Sequence, residues 1–286
     1  MNLDHFGMDT ITLAGPLEGK LAAIRDAGFT QAMLNAGDIV GHPGGERAAI
    51  DAVRASGLRV TGFQVLRDFE GLSGHLHAYK VDVAKAMLEL CRALGSRVLL
   101  ACSSVSAHAA GDFDLLVKDV QKLAMLALPL GIRIAYEALS WGRHVNRLDT
   151  AWDVVQQADR ANLGLCIDSY HALANPGEAE EILADQVFLV QLSDFMWQET
   201  RSPEDRVETA RHYRVFPGEG VHSDEIAALV RWLDELGYRG DYSFEVFNDD
   251  YRQLPLAMVA ERARRSASWV SGVVSRRTLP ARRRRP

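Results

Sequence analysis

The chain has 286 residues, 48% hydrophobic and 24% charged, enough to bury a barrel-sized core in a soluble globular protein. No apolar run reaches the roughly 20 residues that a bilayer span needs, and MNLDHFGMD lacks the basic and apolar regions of a signal peptide, so the expected location is the cytoplasm with no membrane partner. The net charge of −6 conceals an asymmetry: six of the 32 basic residues are arginines from Arg276 onward, leaving 26 basic against 38 acidic groups before them, which argues against nucleic acid as the main ligand.

Taken in order, the sequence repeats one unit eight times. Asp9–Leu13 reads as a strand and Leu17–Ala27 as a helix closed by Gly28; Gln31–Asn35 and Glu46–Ser56 repeat the pair. Arg59–Leu66 is β-rich, His75–Leu94 is a long amphipathic helix ending at Gly95, and Arg97–Cys102 is the fourth strand. Phe113–Leu130 is a helix stopped by Gly131, where the chain needs a left-handed residue. The second half continues with strand Arg133–Leu139, helix Thr150–Ala158, strand Leu163–Ile167, helix Glu178–Ala184 and strand Val187–Leu192. Residues 193–223 then break the rhythm. They are polar, carry Pro203, Pro217, Gly218 and Gly220, lack an apolar period, and are expected to form a functional loop. Helix Glu225–Leu236, strand Tyr242–Phe247 and helix Pro255–Val274 close the series.

Eight strand–helix pairs predict one (β/α)8 TIM-barrel domain over residues 1–274. A doubly wound sheet is the alternative, but TLAGPLEG after the first strand lacks the spacing of a nucleotide-binding turn. Residues 275–286 have almost nothing to bury and are expected to be a disordered basic tail. Cys91, Cys102 and Cys166 are odd in number and set in apolar surroundings, which suits reduced, buried thiols. The sequence leaves homo-oligomerisation open.

LGLCIDSYH, residues 163–171, places an aspartate and a histidine at the end of an apolar strand. An ionised Asp168 buried there is costly unless a cation or hydrogen-bond donors compensate it; the alternative is a helix-capping Asp followed by a loop His. Three other strand ends carry groups of the same kind. Strand five gives Glu137, strand seven Gln191 and strand eight Glu245. In a barrel these carboxyl ends form the catalytic face. Three carboxylates with no cation would repel one another and raise one another's pKa, and a divalent metal resolves that. Oxygen donors suit magnesium or manganese first, then cobalt or zinc, and no CxxC or HExxH spacing points to a dedicated zinc site.

EALSWGRHVN, LGLCIDSYH, VFLVQLSD, RHYRVFPGEG and SFEVFND, with VLRDFEG at the end of strand three, resemble the xylose-isomerase-like barrel family. More narrowly they are similar to the bacterial 3-dehydroshikimate dehydratases, from about Thr10 to about Asp250. The family's strand-five Glu, strand-six Asp and strand-eight Glu are metal ligands and match Glu137, Asp168 and Glu245. Many members place His at strand seven; Gln191 resembles the dehydratase variant. The end of strand two departs from the pattern, with Asn35 and Asp38 where relatives tend to place a glutamate, so no role is carried there. Some dehydratases extend into a second, dioxygenase-like domain, for which these 286 residues hold no counterpart.

The resemblance implies metal-dependent dehydration of 3-dehydroshikimate to protocatechuate. Removal of the C4 proton, next to the ketone, gives an enolate that expels the C5 hydroxyl and then aromatises. His171, one short step past Asp168, is the candidate for proton transfer, with His144 and His212 in reserve. The substrate carboxylate calls for a guanidinium. Arg67, Arg143, Arg211 and Arg214 all fall in strand-end loops, and Arg67 and Arg211, together with His144 and His212, are the expected substrate-binding residues. The competing activity is a metal-dependent sugar or hydroxypyruvate isomerase or epimerase on the same barrel. A repair endonuclease of related fold would require several metal-ligating histidines and a basic face, and the acidic body argues against it.

Overall fold

The computed structural model describes residues 3–177 and 182–275. Its centre is a closed barrel of eight parallel strands: β1 (Phe6–Asp9), β2 (Gln31–Asn35), β3 (Arg59–Leu66), β4 (Val98–Cys102), β5 (Arg133–Glu137), β6 (Leu163–Asp168), β7 (Val187–Leu192) and, after a two-stranded ribbon, β10 (Tyr242–Phe244), which pairs with β1 to close the ring. The helices packed outside are α1 (Leu17–Asp26), α2 (Ala36–Val40), α3 (Gly45–Ser56), α4 (Gly74–Ala93), α5 (Phe113–Ala127), α6 (Leu148–Ala158), α7 (Ser169–Ala174), α9 (Ser223–Leu236) and α10 (Leu256–Ser275). The expected (β/α)8 architecture is therefore present. None of the described helices is long and apolar enough to cross a membrane.

The two-residue alternation of a strand sorts its side chains between two cores. On β4 to β6, Leu99, Ala101, Ile134, Tyr136, Leu165 and Ile167 face the helices. Val98, Leu100, Cys102, Ala135 and Cys166 form a separate cluster with Met33, Leu139, Phe188 and Leu189 inside the barrel. Continuing the inward alternation by one step reaches Glu137 on β5, Asp168 on β6 and Gln191 on β7, so the last inward residues of these strands are polar while those below them are apolar. All three cysteines are free and buried, as expected.

Several elements differ from the sequence reading. The first strand is Phe6–Asp9, not Asp9–Leu13, and Thr10–Thr12 is a 3-10 turn that Asp9 caps. The Thr-Ile-Thr alternation imitates a strand, but both hydroxyls tie strand ends together. Thr10 Oγ1 accepts from the Asn35 N–H, while Thr12 Oγ1 donates to the Phe244 carbonyl and accepts from the Val246 N–H. Asp9 is thereby moved from the start of a strand to its catalytic end. Gly131 does adopt the left-handed conformation expected of it, with φ 65°. The expected helix Glu178–Ala184 falls largely on residues 178–181, outside the described residues; Ala184–Gln186 is a 3-10 turn. The expected tail, from residue 276 on, also lies outside them.

Residues 193–223 are not an irregular loop. β8 (Asp194–Phe195) pairs antiparallel with β9 (Arg214–Val215), and α8 (Pro203–His212) lies between them. Ser202 and Asp205 form a capping box, with Pro203 at the first helical position. α8 buries only Thr209 and Ala210, which explains why no apolar period announced it.

Candidate active site

Neighbouring strands bring the polar ends into register: Cys102 pairs with Glu137, Asp168 with Gln191, and Gln191 with Ser243 two residues before Glu245. Glu137, Asp168, Gln191 and Glu245 are all buried. The four residues expected to hold a metal therefore converge at one end of the barrel. Glu137, Asp168 and His171 also present ligand atoms within 4.8 Å of one another.

The centre of this cluster is Arg214, which sequence analysis had placed in a loop without selecting it. Its Nη1 donates to Asp168 Oδ2 at 2.7 Å and to Glu245 Oε2 at 3.2 Å. Its guanidinium carbon lies 4.5 Å from the centroid of the Tyr170 ring. Arg214 is one of the largest fully buried side chains, and β9 is the element that carries it inward. A signal existed in RHYRVFPG: the second arginine stands immediately before the apolar pair Val215 and Phe216.

One guanidinium does not neutralise the site. Burial, followed by Asp168 and Glu245, raises Glu137 to about 8. Burial also raises Glu245 to about 7, against the opposing pull of Arg214. Glu137 Oε2 accepts from the Cys102 thiol at 2.8 Å, whereas Oε1 is buried with no hydrogen-bond partner. An orphan carboxylate oxygen beside two further carboxylates and an amide carbonyl is a donor set that fits a divalent cation.

His171 stands beside this floor. α7 starts at the Asp168 cap, so His171 lies three residues on, with Nε2 3.8 Å from Asp168 Oδ2 and 3.4 Å from Arg214 Nη2. Nδ1 is 3.1 Å from Ser140 Oγ, and the ring meets Trp141 and Tyr170 edge-on. Burial is the first cause that lowers its pKa to about 3, with Arg214 and Arg67 acting in the same direction against Asp168. The ring is accordingly neutral near pH 7; Nδ1 accepts from the Ser140 N–H at 3.2 Å, and Nε2 is the nitrogen that lies beside Asp168 and Arg214.

A cavity of about 330 Å³ opens above these groups, lined by Glu137, His171, Arg214 and Glu245 below and by Arg67, Arg211 and Arg252 at the rim. Arg67 and Arg211 were expected there; Arg252, on the turn after β10, was missed. None of the three rim guanidiniums makes an ion pair among the described residues. Asp68 instead bonds Ser104 and Val105, and Glu70 accepts from Tyr136. The two reserve histidines are not brought to the cavity: His144 Nε2 contacts the Ala109 carbonyl, and His212 pairs with Asp249. The insertion therefore delivers Arg211 and Arg214, but not His212.

The chain is 37% identical over 264 residues to a 3-dehydroshikimate dehydratase of Pseudomonas putida, an alignment covering 91% of this chain and 41% of the relative. It is 38% identical over 249 residues to the enzyme of the same name from Pseudomonas aeruginosa, covering 86% of this chain and 38% of the relative. The chain thus spans about two fifths of the length of these curated relatives. A solved xylose isomerase-like TIM barrel/4-hydroxyphenylpyruvate dioxygenase fusion protein superposes with a TM-score of 0.88 at 35% identity, over 96% of this chain and 44% of that one. The family model described as xylose isomerase-like TIM barrel matches residues 21–271. By fold, by strand-end residues and by this match across most of its length, the chain belongs to the xylose isomerase-like TIM barrel family.

Proposed function

We propose that the chain dehydrates 3-dehydroshikimate to protocatechuate at a site holding a divalent metal, magnesium or manganese in first place. The observation that carries this reading is the contrast between floor and rim. Acidic oxygen donors lie below, and three guanidiniums without carboxylate partners stand above. A neutral sugar has no use for such a rim, whereas a small carboxylate is bound through paired N–H···O contacts by a single guanidinium. The names of the Pseudomonas relatives support the same choice.

Glu137, Asp168, Gln191 and Glu245 would hold the ion, and its chemistry is Lewis-acid stabilisation of negative charge developing on the substrate oxygens. Arg67 and Arg211 bind the carboxylate and fix the ring's orientation in the cavity. His171, the neutral imidazole lining the cavity, is assigned as the base that takes the C4 proton. As the C4 carbanion expels the C5 oxygen, the C4–C5 double bond forms and hydroxide leaves with that proton as water. Loss of a C6 proton and protonation of the C3 oxygen complete the aromatic ring. Trp141 and Phe247 line the cavity and limit water around the enolate.

The test is to mix metal-loaded protein with 3-dehydroshikimate and follow protocatechuate absorbance. Turnover that stops on chelation is expected. No turnover with magnesium, manganese or cobalt would overturn the assignment and favour the isomerase reading.

A further inference from the structure

Asp9 has no part in the chemistry above, yet it is completely buried beside a proposed metal ligand, at the carboxyl end of β1. Its Oδ2 accepts from Gln191 Nε2 at 3.4 Å and from Gln64 Nε2, while its Oδ1 accepts from the Ile11 N–H at 3.2 Å. The other end of the Gln191 amide is specified as well, since the Cys166 thiol donates to Oε1 at 3.3 Å.

This arrangement meets a need peculiar to glutamine. The two ends of an amide have nearly the same shape and opposite polarity. Turned one way, Gln191 offers a carbonyl oxygen to a cation. Turned the other way, it offers N–H donors, which a cation repels. A carboxylate ligand carries no such ambiguity. From these contacts we propose that Asp9 is a positioning residue: it accepts from Gln191 Nε2, pins the amide in one orientation, and so presents Oε1 to the metal. Gln64 shares the same acceptor oxygen and holds the Asp9 carboxylate against β3. The inference rests on the metal-site reading above and assigns Asp9 no contact with substrate.

Asparagine at position 9 is isosteric but has one acceptor oxygen for two opposed sets of donors. Either Ile11 N–H or the two glutamine amides must then face an N–H group. The expected consequence for Asp9→Asn is Mn2+ binding weaker by about 10- to 100-fold, the usual effect of removing a partner that orients a ligand. Gln191→Glu alone sets two carboxylates face to face and also weakens binding. In the double variant the roles are exchanged: the amide now at position 9 donates to the outer oxygen of the carboxylate now at position 191, and affinity recovers toward that of the parent.

Titration of chelator-treated protein with Mn2+, read calorimetrically and with circular dichroism as a check on folding, decides the matter without any assay of turnover. A double variant that binds more tightly than either single variant supports the orienting role. If Asp9 acted only through its charge, affinity would follow total negative charge: Gln191→Glu tightest, the parent and double variant equal, Asp9→Asn weakest. That order overturns the proposal, and so does an Asp9→Asn variant that binds like the parent. Should Asp9→Asn fail to fold, Gln191→Glu against the parent still decides, weaker binding supporting and tighter binding overturning it. A parent chain that binds no Mn2+ refutes the metal reading itself, and the inference with it.

Discussion

Replacing Glu137 by glutamine removes a charge that burial, Asp168 and Glu245 already disfavour, its carboxyl being pushed from an ordinary value near 4.5 to about 8. A raised carboxyl pKa means that the native chain keeps a proton the unfolded chain has released. The stability contributed by this group is fully present below about 4.5 and is lost as pH rises through about 8. At 1.36 kcal/mol per unit, that interval corresponds to about 5 kcal/mol of metal-free stability. Glutamine has no proton to release, so Glu137→Gln is expected to flatten this part of the profile. Urea unfolding of chelator-treated protein at pH 5, 7 and 9 measures it. The midpoint of the parent should fall relative to that of the variant as pH rises. Parallel profiles would refute the account of Glu137 as a carboxyl kept neutral by its surroundings. A second arm tests the ion: Mn2+ at 100 times its Kd should raise the parent by about 2.7 kcal/mol and leave the variant nearly unchanged.

Arg67→Ala should lower kcat/KM on 3-dehydroshikimate by an amount equivalent to about 2 to 5 kcal/mol, as expected for removing one member of a charge pair. Mn2+ affinity should hold, and Arg67→Lys should recover only part; near-parental kinetics of the Ala variant would remove Arg67 from the carboxylate site. His171→Gln should reduce kcat by about 10²- to 10⁴-fold with little change in Mn2+ affinity. Steady-state kinetics beside a metal titration would show the opposite pattern if His171 were a ligand. Glu70, buried behind Ser104 and Tyr136, has its pKa raised to about 7 by burial. Its stabilising contribution is present below about 4.5 and lost through about 7, so Glu70→Gln should remove about 3 kcal/mol of pH dependence, read from urea midpoints at pH 5 and 8.

The strand ends that could be read from sequence were those where a polar residue interrupts an apolar run. Glu137 and Asp168 close their strands and Gln191 is the last residue but one of its own, and the alternation that faces them inward is already present in RIAYE, LGLCID and VFLVQL. Asp9 escaped because the Thr-Ile-Thr segment after it has the same period as a strand, and only the hydrogen bonds of its hydroxyls to β2 and β10 show that it turns away. Arg252 escaped for a related reason. It sits on a 3-10 turn whose hydrogen bonding begins at Asn248, and nothing in its own neighbourhood indicates which face of that turn meets the cavity.

Arg214 shows why the insertion is folded instead of loose. A guanidinium taken out of water is costly unless its charge is answered, and the Asp168 and Glu245 carboxylates at Nη1 with the Tyr170 ring answer that charge only in one position. That position must be fixed by backbone, because a flexible loop would pay the entropy of ordering each time Arg214 docked. β9 supplies the fixing through its pairing with β8, and Asp194 on β8 anchors the far end by accepting from the His222 N–H and the Ser223 hydroxyl. The polar composition that hid any apolar period is thus the composition this segment requires. Its middle packs against charged groups at the barrel mouth, while Phe195, Val215 and Phe216 bury apolar side chains that fix the ribbon carrying Arg214.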